Sequence, residues 1–232
     1  MNPSTLSLAG THAFRIALSL AGARALRIVL ALSLLAPAAA SADDAEDVLT
    51  RVRKKYDSVT DATLKFTQEV RFPLAGINQR VEGTLQLKKT NKYRVELEGQ
   101  TIVTDGQTVW SYAVATGQVL IDRFKLTERM LSPERLLSTA PDEYTSRIVG
   151  NERIGSTETI VLALTPKSES SSVRSLKLWI DDSTSLMKQV MLVDINGRET
   201  QYTVRDIDIN TGLEDGRFVF SIPEGVEVVD LR

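Results

Sequence analysis

The spacing of apolar residues changes along the chain and divides it into segments. Residues 28–36 form an apolar run broken only by Ser33, then Pro37 and a cluster of small residues follow. From 43 to about 57, Val48, Leu49, Val52 and Tyr56 recur at helical spacing. Acidic residues occupy the first turn there, and Arg51, Arg53 and Lys54 lie on the opposite side, which predicts an amphipathic helix packed on a sheet. Beyond it the period falls to two. Leu64, Phe66, Val70 and Phe72 alternate with polar residues, as do Val81, Leu85 and Leu87, and then Tyr93, Val95 and Leu97. The alternation returns in Ile160, Leu162 and Leu164, in Leu176, Leu178 and Ile180, and in Phe218, Phe220 and Ile222. Turn signals separate the runs: Asp105-Gly106, Thr116-Gly117, Asp181-Asp182, Asn196-Gly197 and Thr211-Gly212. Asn-Gly between two such runs is the strongest hairpin cue. The pattern predicts about ten or eleven short strands in a meander, hence a large antiparallel sheet, because short turns do not make parallel crossovers.

One stretch departs from this period. Residues 125–139 read KLTERMLSPERLLST, with Ser132 placed to cap a helix starting at Pro133. Residues 166–172 (PKSESSS) read as a polar loop, and no repeat or shift in composition marks a second domain. A helix and a short helical insert cannot cover ten strands as a second sheet would. The geometry that follows is a mainly β fold with an α lid: an incomplete, strongly curved antiparallel barrel, with the N-terminal helix and the mid-chain helices over its mouth. Its apolar interior suits a greasy ligand. A fully packed sandwich fits the same alternation.

The first 42 residues read as a removed leader. They hold Arg15, Arg24 and Arg27 and no acidic residue, then the apolar run, then Ala40-Ser41-Ala42 before Asp43. A basic region, a short apolar region and a small-x-small end are what signal peptidase requires. A membrane anchor reaching back to Ile16 would bury Arg24 and Arg27 in mid-span, which is costly. Cleavage after Ala42 leaves 190 of the 232 residues as one domain, 43–232, with 25 basic and 30 acidic side chains.

Composition narrows the chemistry. The chain has no Cys and a single His, His12, which lies in the leader. Thiol catalysis, a Ser-His-Asp triad, disulfides and ordinary zinc ligation are excluded for the mature protein. A net charge of −2 carries no basic surplus for nucleic acid. Asp206 and Asp208 share a strand face and, with Asp194, are the one acidic group that could suggest a metal or an acid/base pair. A cation site wants more oxygen ligands on a loop, so a solvated outer face is the better reading. Asp181-Asp182-Ser183-Thr184 reads as a turn rather than a calcium loop. An exported carboxylate-based hydrolase has little support, and no cofactor is implied.

Several segments together resemble one family. Phe66-Thr67-Gln68-Glu69-Val70 follows the amphipathic helix, and Glu82-Gly83-Thr84-Leu85-Gln86-Leu87-Lys88-Lys89 comes next. Val103-Thr104-Asp105-Gly106-Gln107-Thr108-Val109-Trp110-Ser111-Tyr112 precedes the Ser-Pro helix with Leu136-Leu137, and Phe218-Val219-Phe220-Ser221-Ile222-Pro223-Glu224-Gly225-Val226 ends the series. In this order they are similar to the periplasmic outer-membrane lipoprotein carriers, the LolA family. The resemblance implies an unclosed β-barrel with a helical lid. It also implies a hydrophobic cavity for lipoprotein acyl chains, and a soluble monomer without a cofactor. The partners it implies are acylated lipoproteins, an inner-membrane ABC-type release complex and an outer-membrane receptor.

Candidate cavity residues are Phe66, Leu85, Leu87, Tyr93, Val95, Trp110 and Trp179. Candidate lid residues are Met130, Leu131, Leu136 and Leu137. Where the family often has an Arg-Pro latch at the end of the second strand, this chain has Lys89-Thr90, with Arg94 nearby as an alternative. Lys keeps the charge but lacks the planar fork of donors. That departure keeps open a second reading, a periplasmic lipid-binding or sensor module without a shuttle role.

Overall fold

The computed structural model describes residues 42–125, 137 and 140–232. Helix α1 (Ala42–Asp57) buries Ala45, Val48, Leu49 and Val52, the one stripe its sequence makes apolar. Lys54 and Lys55 sit in its last turn, complementing the helix dipole. A tight turn at 58–60 then leads into β1 (Asp61–Phe72).

Strands β2 (Ile77–Lys88), β3 (Lys92–Leu97), β4 (Gln100–Asp105), β5 (Thr108–Ala113) and β6 (Gln118–Arg123) follow as an antiparallel meander. A second meander contains β7 (Tyr144–Ile154), β8 (Thr157–Pro166), β9 (Val173–Asp181), β10 (Met187–Asp194) and β11 (Glu199–Ile209). β11 returns to pair with β1, so the two meanders join at the centre of one open, curved sheet. Among the described residues the sheet has twelve strands, ordered β12-β6-β5-β4-β3-β2-β1-β11-β10-β9-β8-β7. The single-sheet architecture decides against the sandwich that the alternation left open.

Two details differ from the sequence reading. The twelfth strand, β12 (Glu227–Asp230), adds to the edge of β6 in parallel, reached by a long connection instead of a hairpin. The alternation Phe218, Phe220, Ile222 is not a strand. Residues Asp215–Phe218 form a 3-10 turn and an extended segment follows. Both edges of β11 are already occupied, by β1 and β10, so the segment beyond it crosses the outside of the sheet. There Phe218 is fully buried, and the ring of Phe220 lies 6.0 Å from that of Tyr112. An extended chain packed by alternate side chains has the same period as a strand.

Register shows that one face of the sheet is continuous. Leu64 pairs with Leu85 and Ile207, Leu85 with Val95, and Val95 with Ile102. On the other half Tyr202 pairs with Val190, Val190 with Leu178, and Leu178 with Leu162. An irregularity in β11 near Arg205 restores the phase between the halves. Call this the inner face. α1 covers it over β8–β10, in a core with Leu162, Leu164, Leu176, Leu178 and Ile180. Leu137 and Ala140, in the mid-chain helical segment, share that core. Gly106 has φ +95° at the β4–β5 turn, and a Cβ there would collide with the carbonyl oxygen of Thr90. Glycine thus lets this turn pack against the β2–β3 turn.

Candidate functional site

Over β1–β5 the inner face lies beyond the core that α1 covers. Leu64, Leu85, Val95, Leu97, Ile102 and Val109 are all only half-buried, and together they floor an apolar trough. The opposite face is charged over β1–β3, while over β4 and β5 it carries Val103, Trp110 and Tyr112, with Phe220 packed on Tyr112. Lys65 faces Asp206 at 3.9 Å, Arg80 pairs with Glu69 at 3.2 Å, and Arg205 pairs with Glu82 at 2.8 Å. Exposed pairs of this kind add little stability but keep the outer face wetted. Asp206 and Asp208 stand on this outer side. Asp181 accepts hydrogen bonds from Ser183 and Thr184 in the β9–β10 turn.

Phe66, Leu85, Leu87, Tyr93 and Val95 come together on the inner face, with Leu87 and Tyr93 packed beside Val59, Ala62 and Phe124. Gly83 lies opposite both Phe66 and Leu97, and any Cβ there would meet the Phe66 ring. The missing side chain leaves the space that the ring occupies. Trp110 and Trp179 alternate with inner-face residues and stand on the other side of the sheet. Trp110 pairs with Val103 and Ile121 there, and Trp179 donates its indole N–H to Glu152 at 2.7 Å. Leu137 is buried under α1, while Met130, Leu131 and Leu136 lie outside the described residues.

The two latch candidates separate. The Lys89 ammonium donates to the carbonyl of Asp57, the last residue of α1, at 2.7 Å. The Lys89 backbone N–H donates to the Thr60 carbonyl at 2.9 Å. Arg94 faces outward, bonded to Glu96 at 2.7 Å and to the Arg217 carbonyl at 3.4 Å. It holds the C-terminal segment, not the helix. Two further ties fix α1: Arg53 donates to the Leu137 carbonyl at 3.1 Å, and the Tyr56 hydroxyl accepts from the Met187 N–H at 3.3 Å.

At the end of the sheet away from these ties lies a cavity of about 810 Å³. Phe72, Leu74, Val173, Leu192, Ile195 and Tyr202 contribute to its wall beside the polar Ser172, Asp194, Asn196, Arg198 and Thr200. That volume lies within the ordinary range for a small-molecule site. The Tyr202 ring is 6.2 Å from Phe66, and its hydroxyl accepts from the Gln68 amide at 3.2 Å. Burial pushes the phenol pKa up, partly offset by the charge of Arg198. Tyr202, Leu192 and Phe72 were not among the sequence candidates. The period-two alternation of Thr200, Tyr202 and Val204 after Asn196-Gly197 is the signal that points to Tyr202. Among the described residues no helix is long and apolar enough to cross a membrane, and no cluster of His, Cys, Asp or Glu could hold a metal.

The family model described as outer membrane lipoprotein carrier protein LolA matches residues 57–221. An outer-membrane lipoprotein carrier protein of Chromohalobacter salexigens is 31% identical over 204 residues, covering 85% of this chain and 92% of its own. Another, from Hahella chejuensis, is 30% identical over 214 residues, covering 85% and 97%. The crystal structure of an uncharacterized conserved protein from Thermus thermophilus shares the fold, with a TM-score of 0.54 at 16% identity over 80% of this chain and 98% of that one.

Proposed function

Since the chain belongs to the outer-membrane lipoprotein carrier family, we propose that it takes up the acyl chains of lipoproteins on its inner face and carries them across the periplasm. The observation that carries this is the contrast between the two faces of β1–β3: one apolar and only half-buried, the other charged. Each buried CH₂ contributes roughly 0.8 kcal/mol, so a chain of about 16 carbons is held in a bilayer by ~10 kcal/mol or more. Transfer through water therefore needs a comparable apolar surface that can later be vacated.

In this reading the trough floor is Phe66, Leu85, Leu87, Tyr93 and Val95. Lys89 is the latch on α1, and Arg94 is not part of it. Trp110 and Trp179 brace the sheet from behind. The leader 1–42 directs export, an inner-membrane ABC-type complex loads the carrier, and an outer-membrane receptor unloads it. The chain performs no covalent step.

The test is release of lipoproteins from spheroplasts that express the release complex, with mass spectrometry of what copurifies with the protein. The expected result is acylated lipoprotein bound in the soluble fraction. Purified protein that releases no lipoprotein and carries no acylated cargo would overturn the proposal.

A further inference from the structure

On the inner face the half-buried apolar residues form a line across the strands, not along them. Ile207 on β11 pairs with Leu64 on β1, Leu64 with Leu85 on β2, Leu85 with Val95 on β3, and Val95 with Ile102 on β4. All of them are half-buried, and no polar residue interrupts the line. Neighbouring strands lie about 4.8 Å apart, so the line spans roughly 19 Å. The hydrocarbon core of a bilayer, about 30 Å thick, is two acyl chains deep, so one chain reaches ~15 Å.

Both flanks of this line are closed. Two residues along the strands toward Lys89, the side chains of Ala62, Leu87 and Tyr93 pack with Val59 and are only 2%, 8% and 7% exposed. Two residues the other way stands a ridge. Phe66 is 7% exposed, and its Cζ and the Leu97 Cδ2 lie 2.9 and 2.5 Å from where a Gly83 Cβ would be. The two side chains therefore come together over the bare backbone of β2. The Tyr202 ring, pinned by Gln68, extends the ridge onto β11. Beyond the ridge the same face changes character: Gln68, Gln79 and Thr200 stand among Val70 and Val81. An alkyl chain lying there would displace water from polar groups without replacing its hydrogen bonds. Only one row of side chains is open between the two flanks, so the lane is one chain wide.

We propose that a single acyl chain lies across the strands in this lane, from β11 to β4, with the Tyr202–Phe66–Leu97 ridge as the wall that separates it from the cavity. The lane rests on the carrier reading and fixes the direction and number of chains in the trough.

The experiment uses the full chain and a cysteinyl peptide bearing one acyl chain of about 16 carbons. A photoreactive diazirine is placed either beside the carboxyl end of that chain or at its tip, and the attachment sites after irradiation are read by mass spectrometry. The expected result is attachment at opposite ends of the lane for the two probes, one at Ile207 or Leu64 and the other at Val95 or Ile102. Ile102→Glu, at the lane's end, should also weaken binding about tenfold or more, the ratio that one Ile side chain implies. Val81→Glu, beyond the ridge, should bind like the wild type, with the far-UV spectrum retained in both. Attachment strung along one strand past Phe66, attachment in the cavity wall, or equal losses in the two variants would overturn the lane and leave the carrier reading standing. Wild-type protein that takes up neither probe would overturn the carrier reading, and the lane with it.

Discussion

Asp61 is a buried carboxylate with a full set of partners. It accepts from the Thr211 N–H at 2.8 Å, the Thr211 hydroxyl at 3.1 Å, the Gly212 N–H at 3.2 Å and the Thr60 hydroxyl at 3.2 Å. Burial alone would raise its pKa, but these bonds outweigh it and hold the carboxyl below its usual value of 3.8. A lowered folded-state value means that the stabilisation is complete above the unfolded value and is lost as the pH falls through the folded one. Asp61→Asn should therefore lower Tm at neutral pH and leave a shallower fall of Tm in acid below about pH 4. Parallel acid limbs for variant and wild type in a pH series of thermal melts would refute this account. Nothing local marks this residue's role, because every partner but Thr60 is about 150 residues away and a lone Asp beside an apolar run reads as solvated. Gly83 was legible only as part of a motif. Its need for a bare backbone depends on the Phe66 and Leu97 side chains of the two flanking strands.

At the level of elements, α1 is tied through its C-terminal turns, by Lys89 to Asp57 and by Arg53 and Tyr56 just before it. The Lys89 bond is exposed, so its net contribution to folding is small, while its position makes it the natural brake on helix movement. Lys89→Met should change stability by less than about 0.5 kcal/mol. It should also speed release of a bound fluorescent fatty acid in stopped-flow measurements, whereas Arg94→Met, on the outer face, should not. Unchanged release in both variants would remove Lys89 from the latch.

The helix itself was legible from its 3.6-residue stripe, and most strands from strict alternation bounded by Gly turns. What misled was the stretch from Phe218 to Ile222, since periodicity reports exposure and not hydrogen bonding. β12 was missed for a related reason. Its pairing partner is a distant edge strand, and its own alternation covers only four residues.

For the whole molecule, the decisive property is which face of the sheet is concave, and alternation cannot supply it. Either parity of β1 could have faced α1, and only the registers joining β1 to β11 and β2 fix Phe66 inward and Lys65 outward. The same ambiguity explains why both tryptophans, chosen for size, stand behind the sheet. Substituting each parity in turn tests the assignment. Leu85→Glu, in mid-trough, should abolish lipopeptide binding measured by fluorescence with the far-UV spectrum retained. Lys65→Glu on the other side should bind like wild type. Equal loss in both variants would mean that the trough is not the binding surface.

The joining of β1 to β11 also bears on how the protein comes to exist. The strand at the centre of the finished sheet is the first to be made, and one of its two neighbours is the last long strand. A chain that emerges N-terminus first can assemble β1–β6 early, yet one whole side of β1 stays unpaired until residue 199 and beyond have emerged. Closure over such sequence separations is slow. Until it happens, the nascent sheet presents both a bare strand edge and an uncovered apolar surface. A protein proposed to shield the acyl chains of others thus begins with its own greasy face unshielded. Its maturation depends on that central seam closing before another chain finds the open edge.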